Sequence, residues 1–578
     1  MKVTGEVDMK YIIYKVIKFV GTGLAFFNLL MFFAMRPCWS GISGTIGYGQ
    51  NGKTILFYVP VMICILFLLI AVSDVIIKKL FNKNWIYITY CAVGIVFFIV
   101  LMVIIKLGAI DYMRFVWPKF FRALGLLAVI LALYCLLFIY PKSKLKDNLL
   151  FKYGLIGLTS VVMILIALNF SVNKITYKPV VYAVEDNYQI VFSTNAEATA
   201  WVEIDGKEYY DTYNGSTKTF SKIHKVEVPM QALDIAKEYT VHTKRTIYAG
   251  PFGGWLGKDI SLTCKFKPVN TSDGIQYLSF SDVHMNYRQA AKTASFIENY
   301  DFLVLAGDLI SDVETFDDAN FNNLVAYTIT KGEIPVVYAR GNHDVKGRYA
   351  EELHKFVGAK GDKFYYNFYF DNIYGLVLDI GEDHDDDWWE YYGTSHYDDY
   401  RASQVDFLNE EIEKHEYDQY AYHLAVCHIP PVFVNYRHNH EEIKAQLTSL
   451  LNQMDIDMFL CGHQHDIMIF EPGLITPNEK LTYNPNYKNG TYNGYLTNFN
   501  FPCFMISKQG YTFSDDMKLS QTKSHIGLFI NVDLTNKTES CKYINGKGEA
   551  VEVMNMFYDK NYGTEIIIDL ETKEFTSK

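Results

Sequence analysis

Carboxylates are nearly missing from the first 172 residues of this 578-residue chain: five Asp and Glu stand against 17 Lys and Arg, a net of +12. The rest carries 36 basic and 59 acidic residues, a net of −23. A split of this size implies that the two parts face different solvents. Thiols are also sparse. The nine cysteines show neither metal-ligand spacing nor a disulfide framework, so a zinc–thiolate site and a stapled scaffold are both unexpected. Cys427 and Cys461 adjoin polar motifs but end apolar runs, and read as packing. Ionisable groups are absent from the interior of the long apolar runs. Asp74 lies at the end of one, which speaks against transport.

What fills the first part is hydrocarbon. Uncharged apolar runs at 19–35, 54–73, 85–105 and 153–172, with a shorter one at 123–140, approach the roughly 20 residues that a bilayer core demands. Behind Lys10, Lys15 and Lys18, the first run also has the form of a signal-peptide core; the runs that follow favour an uncleaved helix. Eleven basic residues fall in the loops on the amino-terminal side and six on the other. That asymmetry predicts a cytoplasmic amino terminus, and an odd number of spans puts everything after Val172 outside the cell. Residues 1–172 are therefore expected to form an α-helical transmembrane bundle, with the lipid bilayer as a partner.

Between 176 and 270 the pattern changes to short alternating strand candidates at 180–184, 189–193, 198–204, 222–228, 238–246 and 260–266. Turns such as Asp205-Gly206-Lys207 separate them, and the spacing suggests a β-sandwich.

From 274 onward, apolar runs alternate with helical segments, and five of the runs end in polar clusters. These are Ser281-Asp282-Val283-His284, Ala306-Gly307-Asp308, Gly341-Asn342-His343-Asp344, Cys427-His428-Ile429-Pro430 and Cys461-Gly462-His463-Gln464-His465. Short β-branched and aromatic runs read as strands buried on both faces. In an open α/β sheet, groups just past the carboxyl ends of strands gather along one edge, where ligands bind. With His343, Asp344 and Gln464 set aside, the five clusters supply two carboxylates, one amide oxygen and four imidazoles. That donor set suits two divalent or trivalent ions without thiolate: Mn, Fe, Zn or Co.

The series D-x-H, G-D, G-N-H-D, H-x-P, G-H-x-H resembles the calcineurin-like metallophosphoesterase family over roughly 274–470. The resemblance implies a four-layer α/β/β/α domain over 274–578 that hydrolyses phosphate esters through attack by a metal-bridging hydroxide. It makes Asp282, His284 and His465 ligands of one ion, Asn342, His428 and His463 ligands of the other, and Asp308 the bridge. It assigns His343 to the substrate phosphate and leaving group, with Asp344 orienting its ring. Asp312 is either a partner aligning a histidine ligand or a helix N-cap. Purple acid phosphatases, a branch of the family, carry Tyr where this chain has Ser311, so their chromophore is not expected. The segment 176–270 likewise resembles the fibronectin-like domain that precedes some catalytic domains of acid-phosphatase type.

Helices are expected at 289–298, 318–328, 349–357, 402–414 and 441–454. The acidic stretch between Asp379 and Tyr400 is open between a lid over the site and a solvated excursion. Residues 471–500 read as loop bordering the pocket, and 523–553 as a hairpin pair that resembles the strands closing this family's second sheet. A net of −23 repels polyanions, so nucleic acid is not an expected partner. Against the enzyme stands a receptor or scaffold whose phosphatase-like domain only binds a ligand. A full set of seven candidate ligands favours the enzyme, and monoesters and diesters are both open as substrates.

Overall fold

The apolar runs that precede the motifs do form strands, and their packing decides where the motifs meet. In the computed structural model the described residues are 173–578, except 212–219, 251–252, 389–390, 392, 436–439, 475–476, 478–479, 484–491, 507–510, 514–518, 522–524, 556–559 and 578; upstream, only isolated positions between 153 and 161 are described. The five expected membrane spans lie outside these residues, apart from those isolated positions. Among the described residues no helix is long and apolar enough to cross a membrane. Residues Asn173–Lys578 form a compact unit by themselves.

Six strands, with the short helix α1 (Met230–Ala236) after the fourth, open the unit: β1 (Ile175–Val184), β2 (Asn187–Ile204), β3 (Lys207–Tyr210), β4 (Ser221–Pro229), β5 (Glu238–Gly250) and β6 (Gly253–Lys265). Two expected strands, 189–193 and 198–204, are one. β2 runs through both, with an irregularity against β4 between Ser193 and Ala198. Its first half pairs with β1 and β4 and its second half with β3 and β5. The strands of the expected fibronectin-like β-sandwich over 176–270 continue the sheet that follows. β1 pairs in parallel with β9 (Val336–Ala339) through Tyr182 and Val336. The Gln189 amide exchanges hydrogen bonds of 2.9 and 3.1 Å with the Ala359 backbone, and Tyr239 Oη donates to Gly332 O at 2.9 Å. An otherwise open sheet edge is thereby satisfied.

β9 belongs to a parallel set with β7 (Ile275–Phe280) and β8 (Phe302–Ala306). A second sheet orders β10 (Tyr366–Phe370), β11 (Ile373–Leu378), β12 (Tyr422–Cys427), β14 (Met458–Cys461) and the strands Cys503–Met505 and Met468–Phe470. The period-two alternation of a strand divides each run between two cores. Tyr277, Val304 and Val337 of the first sheet meet Val426, Leu460 and Phe504 of the second in one buried core. Leu376, Cys427 and Cys461 point the other way, against Phe407 and Leu408 of α5 (Tyr397–Lys414) and Leu447 and Leu451 of α6 (Glu441–Leu451). The opposite outer face packs on α2 (Tyr287–Ala294) and α4 (Phe321–Thr330). Two sheets between two helical layers result. All five described cysteines are buried and free, as their packing role requires.

Several local expectations are corrected. The helix expected at 349–357 is reduced to a single tight turn at Leu353–Lys355, too short to repay helix nucleation. Residues 471–500 are not loop throughout. Lys480–Tyr483 and Tyr492–Leu496 pair with each other, and the latter with β13 (Phe433–Asn435). The late hairpin, Gly527–Asp533 with Thr538–Ile544, joins the first sheet beside β7 rather than the second.

That hairpin buries Glu539 completely. Oε1 accepts from Tyr422 Oη at 2.6 Å, while Oε2 has no hydrogen-bond partner. Burial, with the Asp457 charge adding to it, pushes the carboxyl from 4.5 up to about 8. The unfolded chain then gives up its proton first, so this group stabilises the fold below about pH 4.5 and the contribution is lost as pH rises through about 8. Glu539→Gln keeps the acceptor and removes the titration. Thermal melts of the wild-type chain should fall between pH 5 and pH 8.5, and those of Glu539→Gln should be flatter and higher at the alkaline end.

Candidate metal centre

Each of the five polar clusters leaves the carboxyl end of a strand. Asp282 follows β7, Asp308 follows β8, Asn342 follows β9, His428 follows β12, and His463 and His465 follow β14. The loops are stitched to one another by backbone. Asp282 N donates to Gly307 O at 3.0 Å, His284 N to Asp308 O at 3.0 Å, and Gly462 N to His428 O at 2.9 Å. Two glycines permit the approach. A Cβ on Gly341 would collide with the Asp308 carboxylate and backbone, and one on Gly462 with Ser281 Oγ. Asp282, His284, Asp308, His463 and His465 all hold left-handed backbone, with φ between +40° and +79°. Asp and His tolerate that region better than β-branched residues do, and its concentration here is typical of a working site.

The structure brings all seven expected ligands together. Ligand atoms of Asp282, His284, Asp308 and His465 lie within 4.8 Å of one another. His284 Nε2 and His465 Nε2 face each other at 2.9 Å, and His465 Nε2 is 3.2 Å from Asp282 Oδ1. On the other side, His428 Nε2 stands 3.1 Å from Asp308 Oδ2, and His463 Nδ1 is 3.0 Å from Asn342 Oδ1. The halves are joined at Asp282 Oδ2, which accepts from His463 N at 3.0 Å.

Acceptor atoms crowd together here. Asp308 Oδ2 and His428 Nε2, both buried, approach to 3.1 Å without good hydrogen-bond geometry, and buried Asp282 Oδ1 has the 3.2 Å approach of His465 Nε2 in the same poor geometry. Buried polar atoms left this way are costly unless a cation or water meets them. The donor set is carboxylate, imidazole and amide oxygen, the chemistry that holds divalent and trivalent first-row ions. The residues therefore fit two such ions. Charge balance agrees. Burial opposes ionisation of Asp308, yet the charges of His428 and His343 hold it well below the usual carboxylate range. Burial likewise opposes a charged His428, but the Asp308 and Asp282 carboxylates raise it to about 10. The pair demands positive charge from some source, and bound cations are one.

Asp344 has a different task from the expected one. Its Oδ2 accepts from Asp308 N at 3.1 Å and Gly341 N at 2.8 Å, bracing the loops after β8 and β9. Burial, then the Asp308 charge, pushes its carboxyl up to about 7. The His343 ring is held instead by Ser311 O, 2.8 Å from Nδ1. Its Nε2 then lies 3.9 Å from Asp308 Oδ2, with the side chain one-third exposed. The helix cap open to Asp312 belongs to Thr315, which caps α3 (Phe316–Ala319) with Asp318 in a reciprocal box.

One residue was missed. Asp383 Oδ2 lies 3.3 Å from His463 Nε2, on the far side of the ring from Asn342. A carboxylate there fixes the hydrogen on Nε2 and leaves the Nδ1 pair for an ion. The acidic stretch is thus partly structural. Gly381, Glu382 and Asp383 are buried, while Asp385 and Asp387 are exposed. Buried Arg401 holds the turn by donating to Ile380 O and Glu382 O at 2.9 and 2.8 Å. Lys346 Nζ pairs with Glu382 Oε1 at 2.9 Å. The signal was the run Glu382-Asp383-His384-Asp385 after a strand, but its charge masked which member turns inward.

Residues 275–466 match the family described as calcineurin-like phosphoesterase. The chain thus carries a calcineurin-like metallophosphoesterase domain. Among solved structures, purple acid phosphatase PPD1 from yellow lupin (Lupinus luteus) is 12% identical with a TM-score of 0.43, covering 66% of this chain and 73% of that one. PhoD is 10% identical with a TM-score of 0.40, covering 71% and 94%. A dimetal phosphatase from Danio rerio is 13% identical with a TM-score of 0.32, covering 48% and 98%. No curated protein matches the chain.

Two substitutions separate the roles. Asp308→Asn in the full chain should abolish tight binding of both ions by titration calorimetry and elemental analysis. Asp383→Asn should retain two sites and weaken one of them by about 10- to 100-fold. Unchanged affinity in Asp383→Asn would show that its contact with His463 has no bearing on metal.

Proposed function

We propose that the chain is a membrane-anchored, two-metal phosphoric ester hydrolase, with its catalytic domain outside the cell. The observation that carries the enzymatic part is the meeting of seven N and O donors from five separate strand ends, inside a domain matched to the phosphoesterase family. The anchoring part is supported by the uncharged apolar runs before residue 173 and by the charge asymmetry of their loops.

Two cations, when bound, supply activation of water and neutralise charge on the phosphoryl oxygens. The chain's own residues supply orientation. Asp308 Oδ1 accepts from His343 N at 2.8 Å, which leaves Oδ2 turned to the centre between His428 and His284. Ser311 O takes the Nδ1 hydrogen of His343, so Nε2 is the nitrogen presented to the cleft. In its imidazolium form His343 would pass the Nε2 proton to the leaving oxygen and become neutral, its Nδ1–H still on Ser311 O, while Asp282 and Asp308 stay ionised. Asp344, with no access to substrate, keeps Asp308 and Gly341 in register.

Full-length protein in detergent, loaded with Mn, should hydrolyse p-nitrophenyl phosphate or its bis ester, and chelation should abolish turnover. A fully loaded chain inert on both esters would favour the ligand-binding receptor instead. His343→Ala should keep its metal content and lose turnover by about 10²- to 10⁴-fold, read as kcat with little change in bound metal. Full activity in that variant would remove His343 from the reaction.

A further inference from the structure

The two residues that flank the His463 ring belong to different sheets. Asn342, whose Oδ1 lies 3.0 Å from His463 Nδ1, follows β9 of the first sheet. Asp383, whose Oδ2 lies 3.3 Å from Nε2 of the same ring, stands on the turn that follows β11 of the second. The ring is gripped at both nitrogens, and its aim depends on how far apart the two segments are held.

One ion pair joins them. Arg340 comes directly after β9 and Asp379 directly after β11, and Arg340 Nη2 lies 2.6 Å from Asp379 Oδ2. The Asp379 side chain is fully buried and that of Arg340 is 11% exposed. The Arg340 guanidinium carbon stands 4.2 Å from the centre of the Phe364 ring and 5.3 Å from that of Tyr400, within reach of cation–π attraction. Nε has no hydrogen-bond partner, so the carboxylate and the ring faces hold the head group.

Asp379 passes the constraint along the turn. Its Oδ1 accepts from Gly381 N at 2.8 Å, and its Oδ2 also accepts from Tyr400 Oη at 3.0 Å. Gln404 of α5 fixes its backbone from both sides, with Oε1 accepting from Asp379 N at 2.8 Å and Nε2 donating to Asp379 O at 2.6 Å. Gly381 has φ +74°, and a Cβ there would lie 2.6 Å from the Tyr397 ring, so the chain leaves Asp379 along one path. Asp383 follows two residues later. On the other strand Arg340 is followed at once by Gly341, whose N–H goes to Asp344, and then by Asn342. A buried ion pair is weak as a source of stability, because desolvation offsets the attraction; fixing one arrangement against others is its better-attested use.

We propose that Arg340 is a positioning residue for the ion at His463. Through Asp379 it sets the separation between Asn342 and Asp383, and with it the direction of the Nδ1 lone pair of His463. The assignment rests on the two-metal reading above and deepens it for one of the two ions.

Titration calorimetry with Mn on the full-length chain in detergent tests it, with thermal melts alongside to score folding. Arg340→Met alone would strand Asp379 in the interior, so the variants are Arg340→Met/Asp379→Asn, which removes both charges, and Arg340→Lys, which keeps the charge without the planar fork. In the double variant one site should weaken about 10- to 100-fold while the other stays within about twofold, and Arg340→Lys should weaken the same site by less. Adding Asp383→Asn should cost that site little more, because both changes release the same ring. Unchanged affinity at both sites, equal weakening of both, or full additivity with Asp383→Asn would overturn the proposal; equal weakening would mark the pair as a support of the fold alone. Should the double variant not melt cooperatively, Arg340→Lys decides by the same criteria. A wild-type chain that binds no ion defeats the two-metal reading itself, whereas a wild type with two sites that the Arg340 variants leave untouched defeats only the positioning role.

Discussion

One carboxylate sets the geometry of the domain. Asp308 stands where the loops after β7, β8 and β9 close on one another, and each of its polar groups has an assigned direction. Its N–H goes to Asp344, its carbonyl to His284 N, Oδ1 to His343 N, and Oδ2 faces the centre with His428. The two sheets must pack in one relative position for His428, from the second, to reach a carboxylate on the first. The apolar core between them supplies that position. Side chains such as Val304 and Val426 are fully buried in it, and burial of this kind is the dominant favourable term in folding. The site thus draws its precision from hydrophobic packing some distance below it.

The same arrangement stores unfavourable energy. Five ligand residues hold left-handed backbone, and buried carboxylate and imidazole atoms crowd to about 3 Å of one another. Each left-handed non-glycine residue costs on the order of 1 kcal/mol or more, and uncompensated carboxylates in a buried crevice cost further. Strain of this kind persists only where its surroundings leave no alternative. The crossed backbone bonds between the motif loops and the Asp344 brace provide that constraint. Cations that bind there relieve part of the cost, which couples metal affinity to the stability of the loops.

Much of this was legible beforehand because the informative features were local. A strand ending in Asp or His is visible in five or six consecutive residues, and the alternation of runs and helices gave the order of layers. What escaped notice depended on contacts distant in sequence. Ser311 holds His343 through a backbone carbonyl, which no side-chain pattern records. Asp383 meets His463 from 80 positions upstream, and only Arg401, buried beneath the turn, decides that Asp383 points inward while Asp385 does not. The boundary near 270 misled for a related reason. Alternating short strands look alike whether they close on themselves or extend a neighbour, and the pairing of Tyr182 with Val336 is between residues of separate segments.

That last pairing bears on how the protein is handled. With β1 laid along β9 and the core shared from Val181 through Ile568, the first six strands act as a cheek of the phosphoesterase body rather than a bead on a string. Severing the chain ahead of β7 would bare the backbone of β9 and half of a hydrophobic seam, a surface prone to recruit other chains. An insertion, fusion or excision at that junction is therefore not a neutral edit, because it would require rebuilding the flank of the first sheet.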